Sequence, residues 1–250
     1  MPQTLNINQA EFEACFLALL TAKREDSPDV DAIVADIITD VRSRGDDAVI
    51  ELTAKFDRLN LTPDTLAFSR EEIMAHCATV PSAEREALEL AADRIRAYHA
   101  RQLPADALWE DETGAELGWR WTPVSAAGLY VPGGLASYPS SVLMNAIPAK
   151  VAGVERLAIC VPTPDGVTNP LVLLAAHIAG VDEIYRIGGA QAIAALAYGT
   201  DAIAPVDKIT GPGNAFVAAA KRRVFGKVGF ATPAQSNEFG DWPRRQQCRS

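Results

Sequence analysis

The sequence predicts an α/β fold, with a helical N-terminal region over residues 1–123 followed by an incomplete parallel, Rossmann-like sheet over residues 124–229. In the first region, apolar residues recur at helical spacing and charged residues occupy the other faces. In the second, short apolar strands alternate with helical stretches across short loops, which implies right-handed crossovers and parallel strands. An apolar content of 48% and a charged content of 22% are typical of a globular protein.

Local signals place the N-terminal helices. Ser27-Pro28-Asp29 predicts a helix start, because a capping residue is followed by proline. Gly45 is expected to end that helix, and Asp46 can cap the next one. A third helix is predicted after Pro81-Ser82, and residues 104–123 are expected to form extended connections. The apolar positions that define the three helices are Ile33, Ile37, Ile38 and Val41, then Val49, Leu52 and Phe56, then Leu88, Ala92, Ile95 and His99.

The second region contains four strand–helix units. Strands are predicted over residues 126–131, 157–161, 184–187 and 206–209. The helices that follow them are predicted over residues 140–152, 170–179, 190–197 and 215–224. The pattern contains no internal repeat.

Three of the turns from strand to helix are rich in glycine, at residues 128–134, 187–191 and 210–214. In a parallel sheet these turns lie along the carboxyl edge of the strands, where ligands bind in open α/β folds. Glycine allows backbone N–H groups to approach a phosphate, and a helix N-terminus favours an anion. None of the turns matches GxGxxG with an acidic residue about 20 positions later, so the standard dinucleotide fingerprint is not present. The residues alone predict a phosphate- or nucleotide-binding domain.

Each polar residue in these turns has two interpretations, one structural and one as a ligand contact. Tyr130 is either a strand-end aromatic ring packed on a helix or a ligand contact. Gln191, in the first turn of a helix, is either a solvent-exposed capping residue or a ligand contact. Asn214 is expected to cap its helix, and it can contact a ligand as well.

Composition and the remaining residues exclude several classes of function. A net charge of −9 disfavours nucleic acid and anionic membranes as partners. No secretory signal is visible, the apolar runs are too short to span a bilayer, and four cysteines without a CxxC pair suggest a reducing, cytoplasmic environment. His76, His99 and His177 share no metal-binding spacing, and the last two are expected to be core or partly buried residues. No Ser/His/Asp or Cys/His arrangement is visible.

At its glycine-rich turns the sequence resembles the histidinol dehydrogenase family. The matching stretches are GLYVPGG at 128–134, IGGAQAIAALAYGT at 187–200 and VDKITGPGNAFVAAAKRRVFGKVG at 206–229, and the similarity extends back to about residue 30. The resemblance implies NAD-dependent oxidation of L-histidinol to L-histidine through histidinal. It also implies a cytoplasmic homodimer with one zinc ion per site. Carried over by motif, the NAD-contacting residues are Tyr130, Gln191 and Asn214.

After Gly229 the sequence departs from the family pattern. The family's substrate-contacting serine, its zinc ligands and its catalytic Glu-His pair all follow this point. We therefore expect no catalytic residue and no zinc site in this chain, and a disordered tail over residues 230–250. The chain is then a truncated and inactive histidinol dehydrogenase, or else a non-catalytic fragment that binds a nucleotide or dimerises.

Overall fold

A computed structural model describes residues 5–22, 28–133 and 138–230 of the chain, and the structural statements below concern those residues. The described part of the N-terminal region contains five α-helices. They are α1 (Phe12–Ala22), α2 (Pro28–Arg44), α3 (Asp46–Asp57), α4 (Arg70–Ala78) and α5 (Ser82–Ala100). The predicted starts at Pro28 and Ser82 are confirmed. The predicted tail lies outside the described residues, apart from Phe230.

The junction between α2 and α3 differs from the prediction. Gly45, with φ 59°, ends α2 as expected, but Gly45 itself is the N-cap of α3 and Asp46 is the first helical residue. The prediction that Asp46 caps α3 is therefore wrong. Its carboxylate instead accepts a hydrogen bond from the backbone N–H of Ala202 at 3.0 Å, because the sharp turn at Gly45 directs the side chain toward the α/β region.

Helix α4 was not delimited by the apolar pattern, because its sequence lacks a clear stripe. Its start is fixed by a capping box, in which the Ser69 hydroxyl accepts from Glu72 N–H and the Glu72 carboxylate accepts from Ser69 N–H. The Ser-x-x-Glu spacing is the sequence signal for such a start.

A β-hairpin occupies most of the stretch expected to form extended connections. Strand β1 (Ala107–Glu110) pairs antiparallel with β2 (Glu116–Trp119). The turn is closed by the Asp111 carboxylate, which accepts from the N–H groups of Thr113 and Ala115. Aspartate at the start of such a turn is a sequence signal for it.

The second region forms the predicted parallel sheet. Its strands are β3 (Ala126–Tyr130), β4 (Arg156–Cys160), β5 (Glu183–Tyr185), β6 (Lys208–Thr210) and β7 (Gly229–Phe230). Its helices are α6 (Pro139–Val151), α7 (Pro170–Ala179), α8 (Gly189–Tyr198) and α9 (Ala215–Arg223). The predicted boundaries of four strands and four helices are confirmed to within two residues, and β7 was not predicted.

The strand order is β5-β4-β3-β6-β7, with all neighbours parallel. The chain runs outward from β3 to β5 and then returns to place β6 on the other side of β3. The direction of winding therefore changes between β3 and β6. In open α/β sheets, the crevice at the carboxyl ends of two such strands is the usual ligand site.

Helices from both regions cover the two faces of the sheet. On one face, α6 and α7 pack beneath α4 and α5, and on the other, α8 and α9 pack beneath α2 and α3. Each face has its own apolar core, to which the N-terminal helices contribute side chains. The N-terminal region thus forms the outer layers around the sheet, while the domain boundary at residue 123 stays a prediction.

Residues 66–68 cover the β5 edge of the sheet. Phe68 N–H donates to the Ile184 carbonyl at 2.8 Å, and Arg186 N–H donates to the Leu66 carbonyl at 2.9 Å. The Arg186 guanidinium stacks on the Phe68 ring at 3.9 Å and pairs with Glu72 at 2.7 Å. This pairing satisfies backbone groups that an open edge strand would leave exposed.

Candidate functional site

Tyr130 lies at the carboxyl end of β3, next to the change in winding direction. Its side chain is 5% exposed, and its hydroxyl accepts a hydrogen bond from Gly189 N–H at 3.1 Å. Burial raises the pKa of Tyr130 to about 12, so the hydroxyl keeps its proton at neutral pH. The ring is therefore packed in the core, and its hydroxyl remains able to donate a hydrogen bond.

Gln191 lies in the first turn of α8 and is 1% exposed. The interpretation of this residue as solvent-exposed is wrong, because residues 190–197 of α8 are buried between the sheet and α2. Its Oε1 atom has no hydrogen-bond partner in the described part of the chain and would lie 2.7 Å from a Cβ atom at Gly189. A buried acceptor without a donor costs about 1–3 kcal/mol, and a bound group that supplied a donor here would remove that cost.

The loop after β6 contacts the end of β3 through its backbone. Gly211 has φ 104°, and a Cβ atom there would lie 2.1 Å from the Tyr130 carbonyl oxygen. No other residue fits this position, so glycine fixes the contact between the two loops. Asn214 caps α9 as predicted, its side chain accepting from Val217 N–H at 3.1 Å, and it is exposed to solvent.

A fourth turn, which sequence analysis did not single out, completes this edge. Pro162 follows β4, the strand between β3 and β5. A Cβ atom at Gly133 or at Gly188 would lie 2.5 Å from an atom of Pro162. Thr163 is 1% exposed, and its hydroxyl has no hydrogen-bond partner among the described residues. The Pro-Thr-Pro sequence after a predicted strand was the available signal.

Lys221 was also missed. It lies in α9, is 3% exposed, and its Nζ donates to the carbonyl of Gly211. Burial lowers the pKa of Lys221 to about 8. The signal was its spacing, since Lys221 is four residues after Val217 and three before Val224, which places a lysine on the apolar stripe of the helix.

The structure brings the predicted site residues together to different degrees. Tyr130 and Gln191 meet around the backbone of Gly189, and the Tyr130 main chain contacts Gly211. The Asn214 side chain belongs to the same loop as Gly211 but is engaged as a helix cap. Helices α8 and α9 both start at this edge, so their positive dipole ends favour an anion here.

The described residues do not fit a zinc ion, because nowhere in residues 5–22, 28–133 and 138–230 do three His, Cys, Asp or Glu side chains gather. His99 is buried as expected. His177 is exposed, contrary to expectation, because it lies on the solvent side of α7, opposite its buried residues.

Cys15, Cys77 and Cys160 are free thiols. Across the described helices, none combines the length and apolarity needed to cross a bilayer.

The fold and the carboxyl-edge site together define an open, Rossmann-like α/β protein. The histidinol dehydrogenase family model matches residues 20–240, and the chain belongs to that family. Members of this family are oxidoreductases. The match continues past Gly229, where the quoted motifs end.

Similar proteins agree with this assignment. Histidinol dehydrogenase from Ruegeria pomeroyi is 76% identical over 239 residues, which cover 96% of this chain and 55% of that protein. The enzyme of the same name from Cereibacter sphaeroides is 72% identical over the same share of each chain. The crystal structure of histidinol dehydrogenase from Elizabethkingia anophelis superposes with a TM-score of 0.79 at 36% identity, covering 83% of this chain and 48% of that one. The chain thus spans about half the length of the relatives it matches.

Proposed function

We propose that this chain supplies the NAD-binding part of a histidinol dehydrogenase, an enzyme that oxidises L-histidinol to L-histidine through histidinal in the cytoplasm. The relatives at 76% and 72% identity carry that name. The single observation that carries the cofactor assignment is the Oε1 of Gln191, which is buried beside the glycine turn at the carboxyl edge and has no partner within residues 5–22, 28–133 and 138–230. Thiols left free in the core, at Cys77 and Cys160, suit a reducing compartment.

The residues at this edge fit the groups of NAD. The Tyr130 hydroxyl has a proton to donate, and the buried Gln191 oxygen accepts no hydrogen bond from the described residues. In Asn214, the carbonyl oxygen is already used by the helix cap, so its NH₂ group is the one available to a ligand. The N-terminal ends of α8 and α9 suit the diphosphate. NAD supplies the hydride acceptor of the reaction, and these residues hold and orient it.

We further propose that oxidation of histidinol needs residues outside these 250. A base must take the hydroxyl proton as hydride leaves, and removing such a base typically costs about 10²–10⁴-fold in rate. By resemblance, the family's Glu-His pair and zinc ligands follow Gly229 in sequence. We accordingly assign zinc binding, histidinol binding and the formation of a homodimer to the complete enzyme. A non-catalytic fragment that binds a nucleotide is the second candidate, which the buried Gln191 acceptor supports equally.

Calorimetric titration of NAD into the purified chain tests the cofactor assignment. We expect one site per chain and an affinity loss of about tenfold in Gln191→Met, since one hydrogen bond to the ligand is lost. Gln102→Met, at an exposed position outside the site, is the matched control and should bind as the parent chain does. Equal affinities in all three proteins would overturn the assignment.

A turnover assay separates the two candidates. The chain is mixed with NAD, zinc and L-histidinol, and NADH absorbance is followed. We expect no NADH above background even where NAD binds. Steady turnover in proportion to protein concentration would show that the chain holds a complete active site.

A further inference from the structure

Lys221 joins the body of α9 to the loop that precedes it. Its ammonium group donates to the Gly211 carbonyl across ten residues of sequence, so the loop and the helix are closed into one unit. The same Gly211 lies against the Tyr130 carbonyl, where even a Cβ atom would clash. Any change in the direction of the Gly211 carbonyl therefore changes how the loop meets the end of β3.

An ordinary structural role does not account for a lysine here. A buried lysine is costly, because its charged form loses hydration, and an apolar residue of similar length would pack at this position without that cost. In the described part of the chain no carboxylate forms an ion pair with Lys221, and its charge is held by a carbonyl dipole. Lys221 lies on the same buried face of α9 as Val217 and Val224, where the helical pattern favours an apolar side chain.

Building on the proposed function, we propose that Lys221 is a positioning residue for NAD. Its charge-assisted hydrogen bond to Gly211 holds the loop of residues 211–214 in the shape that receives the cofactor. A hydrogen bond from an ammonium group is stronger than one from a neutral amine, so within the folded chain the charged form binds the Gly211 carbonyl more strongly, although burial of that charge lowers the stability of the fold as a whole.

The other charged groups near Lys221 lie on α9 itself and on α2. Helices α2 and α8 pack against α9. On α2, Asp31 forms an ion pair with Arg223, and the charge of Asp36 also raises the pKa of Arg223. Helix α8 carries no charged side chain. Burial lowers the pKa of Lys221 to about 8, so its charge is lost between neutral and moderately alkaline pH, whereas the raised pKa of Tyr130, about 12, keeps that hydroxyl protonated there.

The test compares Lys221→Met with Lys227→Met, which removes the same charge from an exposed position. NAD affinity and melting temperature are measured at pH 7 and pH 9.5. We expect Lys221→Met to lose affinity about tenfold at pH 7 with an unchanged or higher melting temperature, since the cost of burying the charge is removed. The parent chain and Lys227→Met should lose affinity several-fold between the two pH values, and Lys221→Met should not. Equal affinity in both variants, or an affinity loss that merely follows a lower melting temperature, would overturn the proposal.

Amide hydrogen exchange at Gly213 and Asn214 without cofactor is the second arm. We expect faster exchange at these amides in Lys221→Met and unchanged exchange in Lys227→Met. Unchanged exchange in both variants would refute the positioning role even if NAD binds. If the parent chain fails to bind NAD, the proposed function falls and the cofactor part of this inference falls with it, whereas the exchange result still decides whether Lys221 holds the loop.

Discussion

The two glycine loops at the carboxyl edge satisfy their polar groups in opposite ways. In the loop that leads into α8, Gln191 is buried and its Oε1 has no donor among the residues that the structure describes. In the loop that leads into α9, Asn214 is exposed, its oxygen already caps the helix, and the Gly211 carbonyl accepts from Lys221. The first loop leaves an acceptor for a ligand to satisfy, and the second is fixed by the protein itself. Substitutions of the second loop's own residues should therefore affect folding first, and substitutions in the first loop should affect binding first, whereas Lys221 acts on the second loop from the body of α9.

The largest expected effect is at Gly211. In Gly211→Ala, a Cβ atom 2.1 Å from the Tyr130 carbonyl oxygen forces the loop away from β3, and φ 104° adds strain. We expect a loss of at least about 4 kcal/mol of unfolding free energy, measured by urea denaturation. Gly226→Ala is the matched control, since Gly226 has φ 89° and no atom of the described residues within 4 Å of its Cβ position. It should lose only about 1 kcal/mol. Similar losses in both variants would show that the Gly211 contact is unimportant.

The pH dependence at Lys221 should give the next largest effect. Because burial lowers its pKa from 10.5 to about 8, the unfolded chain binds more protons than the folded one between these values, and folded stability gains as pH rises through this range. Lys221→Met lacks this gain. The unfolding free energy of the variant relative to the parent should therefore fall by up to about 3 kcal/mol between pH 8 and pH 10.5. Taking the difference cancels the other titrating groups. A difference independent of pH would contradict burial of the charge.

Loss of the Asn214 cap should be smaller. Asn214→Ala removes a hydrogen bond to Val217 N–H and should cost about 1 kcal/mol of stability in thermal or urea unfolding. Asn169→Ala removes the equivalent cap of α7, where the side chain accepts from Leu171 N–H at 3.0 Å. Both variants should be destabilised, and only Asn214→Ala should also weaken NAD binding. Equal affinity in the two would assign Asn214 to the helix cap alone.

Gln191→Met should have the smallest effect on folding, with the opposite sign. Removing a buried acceptor that has no donor in the described part of the chain, while keeping the side-chain length, should leave unfolding free energy unchanged or raise it by up to about 1 kcal/mol. A loss larger than that would mean that the oxygen is satisfied in the folded protein, and the contrast between the two loops would then fail.

Sequence reasoning succeeded where local pattern determines structure and failed where tertiary contacts do. The strand–helix units after residue 124 were placed to within two residues because apolar runs and glycine turns mark them. The burial of Gln191 was not predicted, because α2 from a distant part of the chain covers α8. Lys221 was missed because a polar residue on an apolar stripe has meaning only once its carbonyl partner is known. The predicted role of Asp46 as a helix cap was wrong for the same reason, since its hydrogen-bond partner Ala202 is distant in sequence.

The central claim is that both loops belong to one cofactor site, and amide chemical-shift mapping during an NAD titration tests it most directly. The account predicts saturable shifts at Gly189 and Gln191 in the first loop and at Gly213 and Asn214 in the second, all with one dissociation constant. Shifts confined to one loop, or centred on the hairpin of β1 and β2, would contradict it.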